Sequence, residues 1–102
     1  MKDYSNLLER LQEAVRLLKQ QGDTPKERLT SAILHVAALM TKEFPPDLQA
    51  EWDALQKAIQ RVSDEERGSA RASIDAMTHD EVQRWSDVII RICANIRNKP
   101  RR

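Results

Sequence analysis

The chain is short of the residues that carry most enzyme chemistry and most punctuation: one Cys, two His, two Gly and four Pro in 102 residues. A single Cys93 excludes an intramolecular disulfide, and Cys93, His35 and His79 form no paired metal-ligand motif, so neither a zinc site nor any other metal is expected. Two glycines cannot build a phosphate-cradling loop or a nucleophile elbow. Glu-x-x-His, the inward-facing pair of bundle dimetal sites, does not occur. Aromatics are scarce (4%), and Lys, Arg, Glu or Gln interrupts every apolar run well short of the roughly 18 to 20 residues a membrane-spanning helix needs. The start, Met1-Lys2-Asp3-Tyr4, lacks the basic cluster and apolar stretch of a secretory signal. A reducing, cytoplasmic setting, no membrane, no cofactor and no enzymatic activity are the expectations.

What remains is a chain 40% apolar and 32% charged, the composition of one folded domain. Its net charge of +1 conceals a gradient, because residues 51–80 are acid-rich and residues 81–102 are base-rich. Between the few glycines and prolines lie long stretches of good helix formers. Tyr4, Leu8, Leu11, Val15 and Leu18 recur at spacings of four and three, the signature of one apolar stripe, and predict a first helix over about 4–21 with Gly22 at its end. Thr24-Pro25-Lys26-Glu27 combines a cap residue, a proline in the first helical position and a glutamate that reaches back. It starts a second helix, striped by Leu29, Ile33, Val36 and Met40, which the pair Pro45-Pro46 stops near Glu43.

A third stripe, Leu48, Trp52, Leu55, Ile59 and Val62, follows from about Pro46. Its phase is then lost, and Ser63 with Glu66 forms another capping pattern, so a break is expected near Ser63 with a weak helix over about 64–76; one bent helix over 47–77 is the alternative. Thr78-His79-Asp80-Glu81 is a further capping box, with Met77 and Val82 placed as its hydrophobic staple. It opens a last helix over 79–97, striped by Val82, Trp85, Ile89, Ile92 and Ile96. The predicted fold is all-α, an antiparallel bundle of four long helices plus the short weak helix. Residues 1–97 form one domain and residues 98–102 a short basic disordered tail.

Some apolar residues lie outside these stripes. At 100° per residue Leu17 and Leu34 point roughly 130° away from their stripe centres, Ile90 about 120°, and Leu39 and Val88 about 80 to 90°. A single core does not need them, and they mark a second apolar surface suited to another protein chain. The expected function is therefore protein–protein interaction: self-association as a homodimer, with an adaptor, chaperone-like or regulatory-subunit role towards another protein. The last helix, through Ile90, is the expected contact. The alternative is a nucleic-acid-associated protein whose basic end, Arg91, Arg97, Lys99, Arg101 and Arg102, touches phosphates. No aromatics are interleaved with these bases, and bases also simply complement a helix C-terminus. Trp52, Trp85 and Cys93 read as core residues. Asp53 with Lys57, Asp80 with Arg84 and Asp87 with Arg91 read as helical ion pairs four residues apart.

Overall fold

Side-chain caps at Thr24 and Thr78 start two of the helices, and the apolar faces of the helices then dictate their packing. The computed structural model describes residues 4–62, 66 and 68–98, and every regular element among them is helical. The order is α1 (Ser5–Leu18), α2 (Pro25–Val36), two single 3-10 turns (Thr41–Glu43 and Pro46–Leu48), α3 (Gln49–Ile59), α4 (Ser69–Asp75) and α5 (His79–Arg97). In α2 the Thr24 hydroxyl accepts from the Glu27 amide and Pro25 occupies the first turn. In α5 the capping box closes in both directions, Glu81 N–H to the Thr78 hydroxyl at 3.2 Å and Thr78 N–H to the Glu81 carboxylate at 3.1 Å. Met77 and Val82, the staple pair, both enter the core.

Three helices, α1, α2 and α3, end earlier than the sequence predicts. The first stops at Leu18, because the Lys19 and Gln20 amides turn back onto Val15, Arg16 and Leu17. Gly22, at φ +99°, falls in the connection to α2, where the left-handed backbone is easiest for glycine. The second stops at Val36 rather than near Glu43. Leaving the helix there frees the Leu39 carbonyl to accept from Trp52 Nε1 at 3.2 Å and Gln56 Nε2 at 3.1 Å. The same turn carries Leu39 inward and leaves Met40, a predicted stripe residue, in solvent. Phe44 follows Leu39 into the core and stacks on Trp52, centroids 4.4 Å apart and planes inclined by 21°.

The chain divides between α3 and α4. Helix α3 ends at Ile59, and Gly68 stands before α4 at φ +89°, ψ 146°, a conformation essentially reserved to glycine. One continuous bent helix over 47–77 is thereby excluded. Ser63, the expected cap, lies outside the described residues. The Ser73 hydroxyl closes the gap, accepting from the Val62 amide at 2.9 Å and facing the Val62 carbonyl at 3.3 Å.

Helix α2 is the hub, packed against α1, α4 and α5, while α1 also rests on α5. Because α1 lies in the angle between two helices, its buried face is centred on Leu7, Leu11 and Ala14, and the expected stripe residues Leu8, Val15 and Leu18 flank it half-buried. Helices α3 and α5 run in opposite directions, since Glu51 near the start of α3 pairs with Arg91 late in α5 and Arg61 just beyond α3 pairs with Glu81 early in α5. On α5, Val88, Ile92, Ile96, Ile89, Val82 and Cys93 form one broad buried arc, in which Trp85 is half-buried.

Candidate interaction surfaces

The five off-stripe residues have different fates. Leu39 and Val88 are 7% exposed and belong to the core, which corrects their placement on an interaction surface. Leu39 was measured from a helix that does not extend to it, and Val88 lies on a broad buried face rather than beyond a narrow stripe. Leu17 is half-buried against the core, as a flanking residue. Ile90 is half-buried outside the core cluster, and Leu34 is 60% exposed. The five are therefore not one surface.

Leu34 is joined among the exposed large apolar residues by one that periodicity assigned to the core. Met40 is 56% exposed, and Ala37 and Ala38 between them are also exposed. Two large apolar side chains are thus exposed in the last turn of α2 and just beyond its end, where the helix stops early. The sequence contained the signal only indirectly, in Leu39 and Met40 competing for one inward position beyond a helix end that no glycine marks.

The expected phosphate contacts are also redistributed. Arg91 is engaged by Glu51 at 2.8 Å, an acid from a different helix. Arg97 is exposed at the end of α5, and Lys99, Arg101 and Arg102 lie outside the described residues. Of the expected helical pairs, Asp53–Lys57 forms at 3.1 Å. Asp87 accepts from Gln83 at 3.0 Å, and the Arg84 guanidinium lies 5.3 Å from the centroid of the Trp85 ring.

These side chains border an open groove of about 640 Å³ between α3 and α5, lined by Glu51 and Ala54 from one helix and by Asp80, Gln83, Arg84, Trp85, Asp87, Val88 and Arg91 from the other. Trp52 is fully buried, but Trp85 is half-buried at this groove, an edge position that the stripe did not reveal. The lining mixes three carboxylates with two guanidiniums around a small apolar floor. It is open to solvent, unlike the enclosed, mainly apolar sites that hold small ligands.

The groups with potential chemistry do not converge. Among the described residues no three His, Cys, Asp or Glu side chains are placed to hold a metal ion, and both histidines are exposed on separate helices. Cys93 is buried, and burial raises its thiol above the ordinary value, with Arg97 and Lys19 opposing weakly. Among the described residues no helix is long and apolar enough to cross a membrane. Comparison with protein-family models, curated proteins and solved structures finds no match to this chain.

Proposed function

We propose that this chain works by binding proteins: it self-associates as a dimer and presents a further helix surface to another protein, as an adaptor or regulatory subunit in a reducing, cytoplasmic setting. The observation that carries this reading is the pair Leu34 and Met40, 60% and 56% exposed with exposed alanines between them. Large apolar side chains exposed to water have a cost that contact with another chain removes, at about 25 cal/mol per Å² covered. The open groove between α3 and α5 is a second surface of suitable character.

The test is the mass of the purified chain by light scattering over a wide concentration range, with Leu34→Ser/Met40→Ser measured alongside. A mass near twice 11.8 kDa for both proteins supports self-association, with the α2 patch left for the other partner. A monomeric double variant assigns the patch to the dimer itself. Monomers at every concentration for both proteins contradict the self-association half.

A further inference from the structure

We propose that the groove between α3 and α5 receives a second copy of this chain, α5 lying against α5 in opposite directions about a two-fold axis. This inference rests on the self-association reading and specifies its geometry. The outward strip of α5 carries Asp80, Arg84, Asp87 and Arg91, and all four line the groove. At 100° per residue they fall within an arc of about 60°, and along the axis they span roughly 16 Å. Their signs alternate, and the pattern is its own complement when reversed. Asp80 and Arg91 are equally distant from the midpoint between Trp85 and Ser86, and so are Arg84 and Asp87.

An antiparallel second copy centred on that midpoint therefore sets every acid level with a base: Asp80 with the other copy's Arg91, Arg84 with its Asp87, and the converse pairs. A parallel copy in register sets acid against acid and base against base, which disfavours it. Closed two-fold contacts have this self-complementary form. Among the described residues Asp80 and Arg84 take part in no ion pair, so their charges are available. Arg91 is held in place by Glu51 at 2.8 Å. Trp85, half-buried and packed against the core, lines the inner side of the groove together with Val88. Ala54, exposed on the α3 wall, leaves room for a second backbone to approach.

The experiment uses the full chain and a charge-swapped variant, Arg84→Asp/Asp87→Arg, with helix content followed by circular dichroism. The swapped chain keeps the self-complementary inner pair and is expected to dimerise with itself. Mixed with wild-type chains carrying a mass label, it is expected to form few mixed dimers by native mass spectrometry, because both inner contacts then oppose like charges. The single variant Asp87→Arg is expected to weaken dimerisation by about tenfold or more. Ala54→Gln, at an exposed position that leaves folding intact, is expected to weaken it by filling the groove. Mixed dimers at the statistical one-half, with Ala54→Gln dimerising as wild type, would show that self-association occurs elsewhere and overturn the groove assignment alone. A wild-type chain that remains monomeric overturns both readings.

Discussion

Ser73 shows how much one hydroxyl holds. Its side chain is fully buried on α4, and it bonds the Val62 amide and carbonyl across the break that separates α3 from α4. Removing it leaves two part-buried backbone groups without that partner, which costs about 1–2 kcal/mol. Ser73→Ala is expected to melt roughly 5 to 10 °C lower by circular dichroism; an unchanged melting temperature would contradict the bond's role. Cys93 gives a second residue-scale expectation. Buried, with its thiol pushed up by burial, it should react with an aromatic disulfide reagent at least about a hundredfold more slowly in the native chain than in denaturant. Equal rates would place the thiol at the surface. Leu39 and Met40 mark the limit of periodicity at this scale. Extending the α2 stripe selects Met40 for the core, and the chain selects Leu39 because its carbonyl is taken by Trp52 and Gln56, partners more than ten positions away.

Helix α5 and helix α2 differ in how their ends are encoded. The start of α5 is written in a local exchange of bonds between Thr78 and Glu81, so its residues 79–97 were legible from sequence alone. The end of α2 has no such signal, being set by where Leu39 can dock on α3. Thr78→Ala is expected to cost about 1 kcal/mol, measured by urea denaturation. Glu81 also makes α5 sensitive to acid. Its carboxyl is held below the ordinary value, first by the Thr78 amide and then by the Arg61 guanidinium. A depressed carboxylate contributes stability that is complete above its unfolded-state value and is lost as pH falls through the folded one. Glu81→Gln is therefore expected to lose less stability than wild type when melted at successively lower pH below neutrality, and parallel losses would remove Glu81 from the acid response. Asp80 through Arg91 were legible only as helical ion pairs. That Arg91 bonds Glu51 instead depends on α3 running beside α5, a tertiary fact.

For the whole molecule, the all-helical class and the division between α3 and α4 follow from stripe phase, which is local. The groove does not, because it exists only where the start of α3 meets the outer face of α5. The particle measures 42 × 28 × 22 Å, and at this size much of any long helix must face water on one side. On α5 that side is not a random scatter of charge but a reversible alternation, and at the end of α2 it includes Leu34 and Met40. These are the two surfaces that the proposed function assigns, the α5 strip to a second copy and the end of α2 to a different protein.

The most direct test of this account is the molar mass of the purified chain by light scattering as concentration is raised at low and high salt. The account predicts a mass that climbs towards twice 11.8 kDa and a dimer that weakens as salt screens the α5 charges. A mass fixed at 11.8 kDa at every concentration and salt would contradict it.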